Sequence, residues 1–382
     1  MNLLDKLRAI DHKTESAAKA PEKAFHDCYI RQEVRPPEEF PDQDMIRPEL
    51  LRLLQSQDMP GTDPPSILYL DTETTGLGGG TGTVAFEIGC GHMEPQGFVL
   101  KQYVMRDYPE EIYVLQELEK ELDQSDIICT FNGKSFDVPL LRSRFLMNRM
   151  NPSCLDLPHL DLLHLSRRIW KLRLQSCTLS RLEEEILGTP RLDDLPGSEA
   201  PQRYFTYLKT GDFSLLDKVL EHNAQDVASM CVLLGLLCAR YDRPMDVEHA
   251  EDLYSMGIAL DREQHADRAR SVYSMVPDGK LHPGAQNRLA LSYRRYGNMD
   301  EAIRIWQSMI RNREGGVEPY IHLAKYYEHR AGDPDKALEY TRQAMSLLAE
   351  PSLPSDKSVQ EIRNALQYRY DRLKRKLILK GS

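Results

Sequence analysis

The sequence has no surplus of positive charge. Its 382 residues carry 49 Lys and Arg against 59 Asp and Glu, a formal net charge of −10. Proteins that bind nucleic acid with their whole surface rely on a basic footprint, so this balance argues against that mode. No apolar run approaches the roughly 20 residues that span a bilayer, so no membrane partner is expected. The opening MNLLDKLRAIDHKT carries acids early and lacks an apolar stretch followed by a small-residue cleavage site, so a secretory signal is not expected. Cysteine is sparse and scattered. The seven (Cys28, Cys90, Cys129, Cys154, Cys177, Cys231, Cys238) are odd in number and include no Cys-x-x-Cys pair, which speaks against a disulfide framework or a zinc ribbon. A reducing, cytoplasmic location is the expectation. An apolar share of 41% is ordinary, so globular cores are expected and long disorder is not. Length alone gives about two or three domains at roughly 150 residues each.

Residues 1–65 read as a leader. Leu3, Leu4, Leu7 and Ile10 can line one face of a short helix, and a polar stretch containing RPPEEFPDQD and DMPGTDPPS follows. Such segments rarely build a core, so an arm that packs on the next domain or stays mobile is expected. At residue 67 the texture changes. ILYLDTETTG is an apolar run that ends in acids. TVAFEIGCGHM, GFVLKQYVM and DIICTFNG read as further strands, rich in β-branched and aromatic residues. YPEEIYVLQELEKELDQ, DVPLLRSRFLMNRM and residues 178–187 and 214–239 have helical spacing, and CLDLPHLDLLHLSRRIW reads as a strand running into a helix. Strands followed by helices of this length predict a mixed α/β sheet.

From residue 250 onward strand signals are lacking. Three similar segments align on Ala269, Ala302 and Ala337, with steps of 33 and 35 residues. Small residues recur about 12 places earlier, at Gly257, Ala290 and Ala324. Large ones follow at Tyr273 and Trp306, with Thr341 breaking the pattern. A period of about 34 with small residues at the helix crossing resembles tetratricopeptide repeats; an ordinary helical domain is the plainer alternative. LQYRYDRLKRKLILK, with Lys374, Arg375 and Lys376, would cap the array.

Where the carboxylates fall carries the most chemistry. Asp71 and Glu73 close an apolar strand two residues apart, a spacing that puts both on one face. Asp137 follows the strand IICTFNG through a short turn, and Asp226 lies in an otherwise apolar helix, in LEHNAQDVASM. Four acids at one site would repel one another and resist desolvation. Divalent cations are the natural compensation. Hard oxygen donors select Mg2+ or Mn2+, and two such ions about 4 Å apart clamp both sides of a phosphodiester displacement.

These contexts resemble the DEDD superfamily of 3′–5′ exonucleases, the ribonuclease H-like fold of polymerase proofreading domains and ribonuclease T. YLDTETTGL carries Asp71 and Glu73, FNGKSFDVPLL carries Asp137, and HNAQDV carries Asp226. GLGGGTGTVAFEIG, LDLLHLSRR, CTLSRLEEEILG and RLDDLPGSEAPQRYF, with the trailing repeats, resemble the YprB-type ribonuclease H-like family. The resemblance spans residues 66–242. It implies an α/β fold, a ribonuclease H-like mixed sheet of five strands flanked by helices, with the site at the strand ends, and here followed by an all-α tetratricopeptide-like domain over 248–382. It also implies two Mg2+ or Mn2+ ions held by Asp71, Glu73, Asp137 and Asp226. Members usually place a His five residues before the last Asp or a Tyr four before it. Here Glu221 stands five before and His222 four before. Four residues apart on a helix is one face, so His222 can point at the cluster and orient or deprotonate the attacking water. A structural hydrogen bond is the alternative, with Glu221 turned to solvent in either case.

Other residues bear less weight. Gly76, Gly78, Gly79, Gly80 and Gly82 allow close approach to a nucleotide or simply form a hairpin loop; no helix follows them, as a P-loop would require. Asp161 is an additional carboxylate or, preferred, a helix N-cap. His159 and His164 read as local structure, and Cys231 and Cys238 as packing. Thr72 and Thr74 flank the first two acids, and Asn132 and Lys134 precede the third, where they can touch a nucleic-acid strand or form the turn. Arg142, Arg144 and Arg149, and the acid-free run Arg167, Arg168, Lys171 and Arg173 around Trp170, read as a strand-binding edge or as a solvated face.

The expected function is a metal-dependent nuclease, a 3′–5′ exonuclease on single-stranded DNA or RNA. Two rivals are a nucleic-acid-binding scaffold whose repeats dock a protein partner, and a ribonuclease H-like endonuclease. On this reading part of the negative charge belongs to metal ligands. The other acids gather in the leader and around 183–194 and 246–252, away from the expected strand path.

Overall fold

Six strands form a single mixed sheet in the computed structural model, which describes residues 27–55, 64–76, 82–191, 195–349 and 357–381. The strands are β1 (Tyr29–Arg35), β2 (Ile67–Thr74), β3 (Ala85–Glu94), β4 (Gly97–Val104), β5 (Ile127–Thr130) and β6 (His159–Asp161). They lie in the order β1-β4-β3-β2-β5-β6. β1 through β2 pair antiparallel in that order, and β5 and β6 continue parallel from β2. β2 is central and covered on both faces, which is why ILYL reads as an unbroken apolar run.

The sheet has one strand more than the five expected, and the extra one comes from the leader. β1 hydrogen-bonds to β4 along its whole length. A short helix, α1 (Pro48–Leu54), follows it and buries Leu50, Leu51, Leu53 and Leu54, none more than 5% exposed. Each contributes roughly 1.5–3 kcal/mol of burial. Of the two expectations for 1–65, residues 27–55 follow the packed one, and they go further than an arm by completing the sheet edge and one core. The helical face proposed for Leu3, Leu4, Leu7 and Ile10 lies outside the described residues, as do Gly78, Gly79 and Gly80.

Alternation along the strands separates two cores. Tyr69, Phe98, Leu100, Cys129 and Leu160 face α1, α4 (Leu162–Leu174) and α7 (Asp217–Asp242). Leu68, Leu70, Phe86, Ile88 and Ile128 face α2 (Glu111–Asp123), α3 (Asp137–Met147) and α6 (Ala200–Thr210). Between α4 and α6 the chain makes the one-turn helix α5 (Leu179–Leu182), extended by a π-turn over Glu183–Leu187. The segment Phe213–Asp242 is long and apolar enough to cross a membrane by length and composition, which the sequence reading did not anticipate; 67% of its apolar window is buried inside the fold, so here it is a core helix.

The C-terminal region is helical throughout its described residues. It pairs α8 (Ala250–Arg262) with α9 (Ala266–Met275), α10 (His282–Arg295) with α11 (Met299–Arg311), and α12 (Glu318–His329) with α13 (Pro334–Leu348), and α14 (Lys357–Gly381) closes it. The recurring alanines are fully buried: Ala269, Ala302 and Ala337 on the second helix of each pair, Ala290 and Ala324 on the first. Gly257 takes that first-helix place in pair one, where an added Cβ would stand 2.4 Å from the Tyr273 ring. Met256, Leu260, Val272 and Tyr273 join the core of α4 and α7, so the first pair is continuous with the α/β domain.

Candidate active site

The strand ends, the loop after β5 and the middle of α7 bring the four predicted acids together. Asp71 and Glu73 leave β2 on the face of Tyr69, toward α7, just before a register shift between Glu73 and Thr74. Asp137 is the first residue of α3, and Asp226 sits midway along α7. Burial, and then the negative charges of Asp226, Asp137 and Glu73, hold the Asp71 carboxyl well above the usual carboxylate range. The other three acids therefore all act electrostatically on Asp71. Burial raises Asp137 to about 6, against a 2.5 Å hydrogen bond donated by the Thr72 hydroxyl. Asp226 is raised by burial and eased downward by Arg191 and His222.

Arg191 was not singled out in the sequence. Its guanidinium donates to the Asp226 carboxylate and is gripped by Glu183, at 2.5 and 2.7 Å. Glu183 is fully buried and also accepts from Ser229. The acids around 183–194 were expected away from the site; Glu183 instead fixes a cation on Asp226. Arg191 also donates to Nδ1 of His222 at 3.2 Å. A guanidinium cannot accept, so Nδ1 is the acceptor and the neutral ring carries its proton on Nε2. Nε2 stands 4.0 Å from Glu73 Oε1 and 3.8 Å from Asp226 Oδ2, turned toward both carboxylates. Glu221 is exposed, as its position on the helix implied.

Beneath the acids lies a buried polar chain that sequence reasoning missed. Asn223, fully buried on α7, donates Nδ2 to Asp71 Oδ2 at 3.0 Å and accepts from Gln102 at 3.0 Å. Gln102 also donates to Glu87 at 2.6 Å and to the Leu220 carbonyl at 2.7 Å. Asp71 pairs across the sheet with Gly89, and a Cβ there would stand 2.1 Å from Asn223 Oδ1. The glycine is what lets Asn223 reach Asp71. The available signal was Gly89 inside an otherwise strand-like FEIGCG.

Glu87 pairs across from Glu73, and burial pushes its carboxyl up to about 8. Its Oε2 is buried without a hydrogen-bond partner, which suits a protonated group. The folded pKa lies above the unfolded value of 4.5, so the native state binds the extra proton between those limits. Metal-free protein is expected to lose stability as pH rises from about 4.5 to 8. Glu87→Gln should flatten that slope by more than about 1 kcal/mol between pH 5 and 8. Urea midpoints across this range check it, and an unchanged slope would show that Glu87 is already ionised.

The other predicted residues divide. Thr72 touches Asp137, whereas Thr74 donates to the Gly76 carbonyl at 2.8 Å. Asn132 adopts a left-handed backbone, φ 70°, and both Asn132 and Lys134 donate their backbone N–H to Asp161. Asp161 also caps α4 through Leu163 N at 3.1 Å, so its carboxylate serves the loop. His159 bonds the Thr130 hydroxyl at 2.8 Å, and burial and then Lys134 lower its ring to about 4. Arg167 and Lys171 are exposed on α4. Arg168 is corrected: it pairs with Glu263 at 2.8 Å and donates to the Leu54 carbonyl. Arg173 is likewise engaged, with Asp252, and Trp170 is 3% exposed, so it belongs to the core and not to a stacking edge. Arg142 pairs with Asp156 and Arg144 with Glu111.

Carboxylate oxygens gathered around Asp71 so that they raise its affinity for protons are donors of the kind Mg2+ and Mn2+ take, so the residues present fit divalent cations in their chemistry. Among the described residues no group of three or more His, Cys, Asp or Glu is set as a metal-holding cluster. Asp71, Asp137 and Asp226 are instead engaged by Asn223, Thr72 and Arg191.

Residues 68–238 match the RNase_H_2 family of the RNase_H superfamily. That segment holds five of the six strands, β2 to β6, together with the four acids, and it places this domain in the ribonuclease H superfamily. Over 325 residues the chain is 31% identical to the protein YprB of Bacillus subtilis (strain 168), covering 83% of this chain and 76% of that one. The chain therefore belongs to the YprB family. Among solved structures, the family B DNA polymerase from the hyperthermophilic archaeon Pyrobaculum calidifontis aligns with a TM-score of 0.39 at 15% identity. That alignment covers 61% of this chain and 29% of the polymerase, so the chain spans under a third of that protein's length. Superfamily membership points to a nuclease, and nucleases of this class generally use divalent metals.

Proposed function

We propose that the chain is a cytoplasmic 3′–5′ exonuclease of single-stranded nucleic acid in the DEDD group, and that its paired helices are tetratricopeptide repeats. The observation that carries the reading is the gathering of Glu73, Asp137 and Asp226 around Asp71, close enough to raise its carboxyl, with the four acids supplied by three separate segments. Two Mg2+ or Mn2+ ions, when held by these carboxylates, would neutralise charge developing at the phosphate and activate water. Thr72 orients Asp137, and Asn223 orients Asp71. With Nδ1 accepting from Arg191, His222 turns Nε2 toward Glu73 and Asp226 and acts there as a donor, in preference to a base.

One observation favours a rival. Arg191 on Asp226 neutralises a ligand position with the protein's own cation, as a binding module without catalysis would. Linear and circular single strands separate the readings. An exonuclease shortens the linear strand from its 3′ end and spares the circle, an endonuclease opens the circle, and a scaffold leaves both intact under every metal tried.

A further inference from the structure

Away from the carboxylates, a cleft of about 560 Å³ opens between α4 and α8. Lys134, His164, Arg167, Arg168, Lys171 and Arg262 line it, and among the described residues no Asp or Glu does. In a chain of net charge −10, an acid-free concentration of cations in a concave wall focuses a positive potential. The ion pairs explain how it is built. Arg168–Glu263 and Arg173–Asp252, each at 2.8 Å, join α4 to the first helical pair. Arg167 and Lys171, one turn apart on the same ridge, form no ion pair or hydrogen bond among the described residues. Arg262 faces them from α8. A neighbouring hollow of about 510 Å³ shares Arg167 and Lys171 and reaches Asn132. The loop carrying Asn132 and Lys134 ends at Asp137, so the cations lead from the carboxylates across α4 to the helical region.

We infer that this cleft is a backbone track for single-stranded polynucleotide, in which Arg262 joins Lys134, Arg167 and Lys171 in holding phosphates upstream of the end at the carboxylates. The helical region is then part of the substrate-binding surface. This rests on the nuclease reading above. With Trp170 buried, no aromatic from the α4 run stacks on bases, so α4 contributes charge to the track, and binding carries a steep salt dependence.

Anisotropy titrations of full-length protein with a long fluorescent single strand, without divalent metal and across salt, test the track. Arg262→Glu is expected to weaken binding about fivefold or more. It should also lower the slope of log affinity against log salt by about 0.7 or more. Arg262→Lys should restore both. Arg167→Glu, also exposed, serves as the second variant. If both variants bind like the parent with the same slope while the parent cleaves, the track is overturned and the nuclease reading stands. If the parent neither binds nor cleaves, both fail. If polyglutamate competes as well as the oligonucleotide, the assignment to nucleic acid is overturned.

Discussion

Asp71→Asn is expected to lower turnover at least about 10³-fold, the loss of several kcal/mol of charge stabilisation at the reacting phosphate. The same change should stabilise the metal-free fold. Asp71 is held among Glu73, Asp137 and Asp226, and its elevated carboxyl means that the ionised form is disfavoured in the native state. The amide keeps an oxygen for the Asn223 hydrogen bond while removing the charge. A gain of about 0.5–2 kcal/mol is expected. Metal reverses the ranking. At about 100-fold excess over its dissociation constant, Mn2+ adds roughly 2.7 kcal/mol to the parent and much less to the variant. Thermal melts with and without Mn2+ check the crossing. A structural acid would show the opposite, a loss of stability under both conditions.

Gly89→Ala and Asn223→Ala are each expected to reduce activity by about 10- to 100-fold, as removal of a group that orients a ligand does. The reasons differ. Asn223→Ala deletes the donor to Asp71 and leaves Gln102 without one of its acceptors. Gly89→Ala adds a methyl 2.1 Å from Asn223 Oδ1, and Asn223, fully buried and bonded on both sides, must give up its place. If both act through Asp71, the double variant loses little more than either single one. Multiplying losses would instead mean two independent effects. Calorimetric Mn2+ affinity should fall with activity in both, while kinetic constants measured under saturating metal separate ligand orientation from damage to the fold.

Part of this arrangement was legible. β2 reads as a strand because it is apolar on both faces and ends in acids, and Asp137 and Asp226 are legible from their positions at element ends and on an apolar helix. The convergence of the four carboxylates was thus readable, as was the N-cap at Asp161. β1 was not, because YIRQEVR sits among prolines and acids and its pairing with β4 is a non-local contact that no periodicity reports. Arg191 was hidden for a similar reason: an arginine in a loop carries no spacing signal, and only the buried Glu183 decides where it goes. Trp170 and Arg168 were misread from charge density. The apolar stripe Leu162, Leu165, Ile169 already assigns Trp170 to the core face of α4, and counting that face would have separated the exposed Arg167 and Lys171 from the rest.

The central claim is that the four carboxylates make a metal-dependent 3′–5′ exonuclease. A time course of a 5′-labelled single strand with Mn2+, run with parent and Asp71→Asn protein side by side, tests it most directly. The account predicts a descending ladder of single-nucleotide steps for the parent, halted by chelation and absent for Asp71→Asn. A ladder that persists in Asp71→Asn, or an intact strand with the parent under both Mg2+ and Mn2+, would contradict it.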